Sequence, residues 1–201
     1  MTSFTRAELE SFRDAEVPDL LPGPGDPALR LLFVGINPGL WTAATSTHFA
    51  HPGNRFYPAL LRAGILDSPV DPASGMVDAD RDRLRSAGIG ITNVVRRATA
   101  KASELDPEEL RTGGAELAAL VRRTRPTVVA IAGITAYRTA FGHPKAVMGR
   151  QPDGIGGPFD GSELWVVPNP SGLNAHETVE TLAAAYAEPA RAAGVLETGV
   201  L

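Results

Sequence analysis

Cysteine is missing from the 201-residue sequence altogether. Its absence excludes structural disulfides, zinc sites built on thiolates and cysteine-ligated iron–sulfur clusters. The four histidines are scattered along the chain and do not suggest a metal cage. We therefore expect chemistry that uses no metal and no cofactor.

Long apolar runs are also missing. No stretch approaches the roughly 18 consecutive apolar residues of a membrane-spanning helix, and the opening MTSFTRAELESFRDAE lacks the apolar centre of a signal peptide. The composition is nevertheless 43% hydrophobic, enough for one sizeable core. These features predict a cytoplasmic protein with one globular domain and no membrane partner.

A basic excess, the usual sign of nucleic-acid binding, is absent as well. The formal net charge is −4, which argues against binding by electrostatics alone. Basic residues do cluster at 81–86, 96–101 and 122–125. Each cluster is explained by a solvated helix face, although a small basic surface can coexist with an acidic remainder.

The organisation of the chain indicates a parallel sheet covered by helices. Residues 1–28 form an N-terminal segment, with a short amphipathic helix within 1–17 and a Pro- and Gly-rich stretch after it. From residue 29 to 201, strand-like and helix-like runs alternate, which predicts a single three-layer α/β/α domain with a mainly parallel central sheet. The predicted strands are 30–36, 88–95, 127–133 and 163–169, and the predicted helices are 54–64, 78–88, 135–142, 177–188 and one that starts after Asp106.

The helix after Asp106 has the clearest local pattern. Asp106 can cap it and Pro107 suits its first position. Its apolar residues fall on one face, which predicts burial of that face: Leu110, Leu117, Leu120 and Val121. The Gly- and Pro-rich stretch 142–161 predicts a long loop or a hairpin before the last strand.

Polar residues follow three of the predicted strands, in GINPG (35–39), TNVV (92–95) and PNPSGLNAH (168–176). Because ligands in open α/β sheets lie beyond the carboxyl ends of the strands, all three segments can meet at one crevice. Asn37 would then face a site, although a turn asparagine followed by Pro38 and Gly39 explains the same pattern. A nucleotide-binding loop is less well supported, since GINPG lacks the G-x-G-x-x-G spacing and residues 40–53 do not predict a helix directly after it.

The motifs themselves resemble a known family. GINPGLWTAATSTHFAHPGNRFYPALL, GITNVVRRATAKASELDPEELRTGG and WVVPNPSGLNAH are similar to the mismatch-specific uracil-DNA glycosylase and thymine-DNA glycosylase family, part of the uracil-DNA glycosylase superfamily. The resemblance spans residues 29–186, and the order of GINPG and NPSGL is highly specific. It implies the α/β glycosylase fold, double-stranded DNA with uracil or a mismatch as partner, and a monomer in the cytoplasm, associated with the nucleoid.

The implied reaction is hydrolysis of the bond between an aberrant base and its sugar. Asn37 matches the family residue that directs a water at the oxocarbenium-like sugar, since an amide oxygen can accept a hydrogen bond from that water. An amide gives no general-base help, so slow chemistry is expected, and uracil is a better leaving group than most normal bases. The base must first flip out of the duplex, which is easier from a G·U mismatch.

The resemblance also implies the residues of a base pocket. Phe49 matches the aromatic that stacks on the flipped base, although an ordinary core aromatic has the same pattern. Asn93 matches the thymine-DNA glycosylase side of the family, although a strand end alone explains an asparagine there. The remaining pocket positions are Ile36, Gly39, Thr42, His48 and Asn169.

PNPSGLNAH matches the segment that enters the duplex. Leu173 lies where the family inserts an apolar side chain into the gap left by the flipped nucleotide. Gly172 and Asn174 would offer main-chain groups to the unpaired guanine, and Ser171 would contact phosphate. A Pro-Gly turn explains Pro170 and Gly172, but not the leucine between polar neighbours.

The chain departs from the family two residues after Leu173. Relatives often have arginine there, whereas this sequence has Ala175 followed by His176, so one DNA contact is missing or is made by imidazole. The two lysines lie outside the key motifs, which argues against a Schiff-base mechanism. Two alternatives stay open: a lesion- or mismatch-binding protein with negligible turnover, and a binder of small nucleotides.

Overall fold

The apolar runs form a five-stranded sheet in the order β2-β1-β3-β5-β4. We describe a computed structural model that covers residues 3–152 and 159–197. Four strands are parallel and β4 pairs antiparallel with β5 at one edge. This arrangement confirms the predicted α/β fold. The strands are β1 (Leu31–Gly35), β2 (Ile89–Asn93), β3 (Val128–Ala132), β4 (Gly149–Arg150) and β5 (Glu163–Val167).

Helices cover both faces of the sheet. They are α1 (Arg6–Glu10), α2 (Leu40–Thr45), α3 (Phe56–Arg62), α4 (Asp78–Ser86), α5 (Pro107–Thr124), α6 (Ile134–Phe141) and α7 (Val179–Ala192), with a short 3₁₀ helix at Ala102–Glu104. No helix in the described part of the chain is long and apolar enough to cross a membrane.

A short helix does form within residues 1–17, as predicted, over the five residues of α1, none of which is fully buried. One prediction about local structure was wrong, since no helix was expected directly after GINPG. Residues 40–53 do begin with a helix, α2, whose N-cap is Gly39. Its buried residues Leu40 and Ala43 lie three positions apart, too short a repeat to show a helical period in the sequence.

The hairpin interpretation of residues 142–161 is confirmed where the structure describes it. Gly149 and Arg150 pair with Val166 and Trp165 of β5. Residues 153–158 of the same stretch lie outside the described residues.

The two faces of β1 feed two separate cores, as the two-residue period of a strand requires. Leu31 and Phe33 pack in a cluster with Phe56 and Tyr186, under α3 and α7. The alternate residues, Leu32 and Val34, pack in the other cluster with side chains of α5 and α6: Leu117, Leu120, Val121, Tyr137 and Ala140. The sheet is therefore buried on both faces, so a binding site is expected at the edges of the sheet or at the ends of its strands.

The helix after Asp106 forms as predicted. The Asp106 side chain accepts a hydrogen bond from the N–H of Glu109, whose side chain returns one to the N–H of Asp106. Leu117, Leu120 and Val121 are buried, and Leu110 packs at the margin. Two glycines, Gly113 and Gly114, lie inside this helix despite a cost of about 1 kcal/mol each relative to alanine.

Close approach of main chains explains these glycines. A Cβ at Gly113 would overlap the carbonyl of Val94, and one at Gly114 would lie 2.9 Å from the carbonyl oxygen of Ala140. Glycine thus lets α5 lie directly against the segment that follows β2.

We expect Gly113→Ala to destabilise the protein, although alanine is the better helix former. The methyl group meets main chain that cannot move aside, so the free energy of unfolding should fall by about 1–3 kcal/mol. Denaturant unfolding measures this. Ala115→Gly, at an exposed position of the same helix, is the control and should lose about 1 kcal/mol from propensity alone. A more stable Gly113→Ala protein would contradict the packing argument.

Candidate functional site

The three polar segments predicted to converge do meet, at the carboxyl end of the parallel sheet. They line an open cleft with a volume of about 1670 Å³. Eleven of the predicted site residues face it: Ile36, Asn37, Gly39, Thr42, Phe49, Asn93, Asn169, Ser171, Gly172, Leu173 and Asn174. The cleft is far larger than one base, so it has room for a nucleotide together with neighbouring groups.

Asn37 is held by its amide nitrogen. The two N–H groups of Nδ2 are shared among three acceptors, the carbonyl oxygens of Pro38 and Arg97, both at 3.1 Å, and Thr99 Oγ1 at 2.8 Å. Carbonyl oxygens can only accept, so the amide cannot be reversed. The hydroxyl of Thr99 donates its hydrogen to the carbonyl oxygen of Lys101, 2.8 Å away. Thr99 Oγ1 can therefore only accept from Asn37. The Asn37 oxygen is therefore left for the cleft.

Phe49 lies at the cleft in an unusual backbone conformation. Its φ is +56°, in the left-handed region that non-glycine residues rarely adopt and that costs of order 1–3 kcal/mol. Its ring stacks on Phe56 with centroids 4.1 Å apart. The hydroxyl of Tyr57 donates to the carbonyl oxygen of His48 at 3.0 Å, which fixes the preceding residue. The strained backbone of Phe49 thus lies where its ring borders the cleft.

Gly35 completes this floor. A Cβ there would overlap Asn93 Oδ1 and lie 3.2 Å from the Phe49 ring. Any other residue would displace one of the two side chains.

His48 lies behind the cleft and fixes Asn93. Its Nε2 is 3.0 Å from the carbonyl oxygen of Pro18, which only accepts, so Nε2 carries the proton. Nδ1 then has a free lone pair and accepts from Asn93 Nδ2 at 3.1 Å. The neutral imidazole thus directs Asn93 Oδ1 towards Gly35 and the cleft. His48 was predicted to flank the pocket; it contacts the pocket only through Asn93.

The segment Asn169–Asn174, which we call the wedge loop, forms the opposite side of the cleft. Asn169 Oδ1 accepts from the N–H of Ser171 at 3.0 Å, and Ser171 Oγ accepts from the N–H of Leu173. Leu173 at the tip is 85% exposed, the most exposed large apolar side chain among the described residues. A turn alone does not explain an exposed leucine held in this way.

Some predicted DNA contacts fit this loop less well. The main-chain N–H of Asn174 donates to the carbonyl oxygen of Ser171, and its own carbonyl accepts from Arg55. These groups are already engaged, which leaves Gly172 as the better main-chain contact for an opposing base. Ala175 and His176 are exposed and do not line the cleft.

Arg55 clamps the wedge loop to the rest of the cleft. Its Nη2 donates to the carbonyl oxygens of Ser171 and Asn174, both at 2.7 Å, and its Nη1 donates to that of Glu177. Its main-chain N–H reaches the carbonyl oxygen of Pro170 at 3.0 Å. Arg55 is also the N-cap of α3, next to Phe56. One residue therefore fixes the loop relative to the stacked aromatic pair.

Thr99 is the contact that reasoning from the sequence missed. It lies within RRATAK, which was considered only as a basic cluster, and it is 1% exposed. A small polar residue six positions after the end of β2 gives no periodic signal. Only the fold places it against Asn37.

Five charged residues line the cleft, and they come from α1, the residues just after it and 101–104: Arg6, Glu10, Arg13, Lys101 and Glu104. The carboxylates of Glu10 and Glu104 both pair with Arg13. Within the described ranges, no three His, Asp or Glu side chains come together as a metal site. Neutral amides line the rest of the cleft, from Asn37, Asn54, Asn93, Asn169 and Asn174.

We expect stability to depend on pH through His48. Burial is the largest influence on this group and lowers its pKa, against the opposing hydrogen bond to Pro18. Below the ordinary pKa of about 6.5, the unfolded chain takes up a proton that the folded protein does not. The free energy of unfolding should therefore fall as pH drops below about 6.5, by at most about 1.4 kcal/mol per pH unit.

Denaturant unfolding between pH 7.5 and 5.5 measures this slope. His48→Gln should lose it, whereas His143→Gln, at an exposed histidine, should keep it. Identical slopes for wild type and His48→Gln would show that this imidazole takes up its proton normally in the folded state.

One comparison with known proteins matches most of the chain. A family model described as the Uracil DNA glycosylase superfamily matches residues 22–189, a range that includes every cleft-lining strand end. This family acts on DNA and removes uracil from it, which agrees with a cleft that joins a directed amide oxygen, a stacking aromatic and an exposed apolar tip. The chain therefore belongs to the uracil-DNA glycosylase superfamily.

Proposed function

We propose that this protein is a monofunctional, mismatch-specific uracil-DNA glycosylase, similar to the thymine-DNA glycosylase branch of the superfamily. It would flip uracil out of a G·U mismatch, hydrolyse its N-glycosidic bond and leave an abasic site for base excision repair. The observation that carries the proposal is the fixed Asn37 amide, whose oxygen is left for the cleft. We infer that it acts as a monomer in the cytoplasm, at the nucleoid.

Asn37 would position the attacking water. The sugar becomes cationic as the base departs, so a water held near the anomeric carbon attacks most easily when its lone pair points there. Asn37 Oδ1 accepts one proton of that water and sets its orientation. An amide does not remove the proton at neutral pH, so the enzyme gains by positioning rather than by general-base catalysis.

Asn93 would read the flipped base. With Nδ2 committed to His48, the amide presents Oδ1 and its second N–H to the cleft. Uracil offers an N3–H donor beside a carbonyl acceptor, which matches that pair. Cytosine offers an acceptor beside an amino donor, the reverse pattern, and the neutral His48 opposes the reversal of Asn93 that would suit it. Phe49 would provide the apolar face for the base ring, supported from behind by the stacked and buried Phe56.

Leu173 would fill the gap that the flipped nucleotide leaves in the duplex. An exposed apolar side chain gains by insertion between bases, and the pairing lost in a G·U mismatch is weaker than in a matched pair. Specificity for the mismatch thus follows from the cost of flipping together with contacts of the wedge loop to the opposing guanine.

We expect Asn37→Ala to lose base release and to keep DNA binding, because the side chain directs water and does not hold the duplex. Single-turnover release should fall by about 10²-fold or more. Thr99→Val keeps the size of the side chain but removes the acceptor for Nδ2, and should lower the rate by about 10-fold. Alkali cleavage of labelled duplexes measures release from U·G, U·A and T·G pairs and from single-stranded uracil.

The same experiment separates the alternatives. Binding without release from any substrate by the wild-type protein would favour the lesion-binding interpretation. A thermal shift with mononucleotides and none with duplex DNA would favour a nucleotide binder. Equal loss of binding and release in Asn37→Ala would contradict the water-directing role.

We expect Leu173→Ala to weaken action on duplexes selectively. Without the side chain, the gap is filled less well, so release from a U·G duplex should fall by about 10-fold. Release from single-stranded uracil should change little, since a single strand leaves no gap. Val147→Ala, at another exposed apolar residue away from the cleft, is the matched control and should behave as wild type. An equal effect on both substrates would exclude an insertion role.

A further inference from the structure

The N-terminal segment, residues 4–17, packs against α2 and residues 97–99. It precedes the part of the chain that the family model matches, which begins at residue 22. Leu9, Phe12 and Ala15 lie against an apolar cluster formed by Val17, Leu40, Ala43 and Ala98. The ring of Phe4 meets Trp41 edge to face, with centroids 5.0 Å apart. Leu40, Trp41 and Ala43 belong to α2, which directly follows GINPG.

The segment also pairs with residues 97–99 through its main chain. The N–H of Asp14 donates to the carbonyl oxygen of Ala98, and the N–H of Ala98 donates to that of Ala15, both at 2.9 Å. Arg97 forms an antiparallel bridge with Glu16. On its other side the same loop pairs with GINPG, since the N–H of Thr99 donates to the carbonyl oxygen of Pro38 at 3.1 Å. Residues 97–99 thus lie between the N-terminal segment and GINPG and are bridged to both.

Residues 97–99 supply two of the three acceptors that hold Asn37, namely Arg97 O and Thr99 Oγ1. A further contact ties the segment to the same place. The Arg97 guanidinium donates to Asp14 Oδ1 at 2.8 Å and also pairs with Glu109 of α5. Asp14 adopts φ +64°, a left-handed conformation that turns its side chain and the next main-chain groups towards residues 97 and 98.

We propose that residues 4–17 form part of the catalytic site as a positioning element, acting on Asn37 through residues 97–99. The inference rests on the proposed glycosylase function. The segment braces the loop on the side away from Asn37, so that Arg97 O and Thr99 Oγ1 stay where the amide needs them. A shift of the loop by a fraction of an ångström would rotate the Asn37 amide and misdirect the water.

The segment also builds the outer wall of the cleft. Arg6, Leu9, Glu10 and Arg13 line one side, and Leu173 lies on the wedge loop at the other. The N-terminal segment is thus part of the wall of the cleft that is proposed to admit DNA. A segment that only covered an apolar patch would need neither these cleft-lining residues nor the paired main chain.

Phe12→Ala in the full-length protein tests the proposal. Phe12 anchors the segment in its apolar cluster and does not line the cleft, so the change loosens the brace without removing a DNA contact. Single-turnover release from a U·G duplex, at saturating protein and a temperature where the variant is folded, should fall by about 10-fold or more. The Kd for the same duplex should change much less. Phe12→Leu should restore the rate.

Two comparisons separate positioning from a purely structural role. Leu196→Ala, at a partly buried residue packed against a different cluster, is the matched control and should leave the rate unchanged. Thr99→Val breaks the contact through which the segment is proposed to act, so Phe12→Ala should add little to it in the double variant. Fully additive effects, or a normal rate in Phe12→Ala, would overturn the proposal. Absence of release by the wild-type protein would instead overturn the proposed function.

Discussion

The amide of Asn37 has only one usable orientation, and the site is built to keep it. Two main-chain carbonyls and a hydroxyl whose proton is already spent accept from Nδ2. Reversal would set Oδ1 against two carbonyl oxygens, which is costly in a partly buried site. A group that neither gains nor loses a proton can contribute to catalysis only by its direction. The surrounding fold therefore acts through distance and orientation more than through charge.

The same logic applies to Asn93, the residue proposed to read the base. Asn93 is oriented by His48, and His48 by the carbonyl of Pro18. In each hydrogen bond, one partner can only accept. The carbonyl of Pro18 therefore fixes the tautomer of His48, and His48 in turn fixes the orientation of the Asn93 amide. Burial keeps the imidazole neutral, because a charged ring would be desolvated and would present a second donor to Asn93 Nδ2. The amides of Asn37 and Asn93 are thus both oriented, directly or through His48, by main-chain carbonyls.

Much of this arrangement could be predicted from the sequence. The strand runs, the capped helix after Asp106 and the convergence of three strand ends follow from periodicity and from the geometry of parallel sheets. An exposed leucine at 173 was expected because turn chemistry explains its neighbours and not the residue itself. The family motifs located Asn37 and Phe49, whose local patterns alone also fit a turn and a core.

What was not predictable depends on contacts between distant segments. Thr99 matters because the fold brings it, together with the main-chain carbonyl of Arg97, against the Asn37 amide, and such contacts leave no mark in a sequence. Residues 40–45 form a helix that is too short to show a period. Gly113 breaks the local preference of its helix because α5 has to approach the main chain at Val94.

The acidic charge of the chain is consistent with the proposed function. A protein that neutralises many phosphates needs a basic surface, whereas one that inserts a side chain and accepts a flipped base gains its affinity from stacking and shape. Leu173 can contribute in this way only if its loop is already ordered, since ordering a mobile loop on binding costs conformational entropy. Arg55 meets that requirement through four hydrogen bonds to main-chain carbonyls, three in the wedge loop and one at Glu177 beyond it. The arginine that a charge-based reading would assign to DNA is thus used inside the protein, to hold an apolar side chain in water.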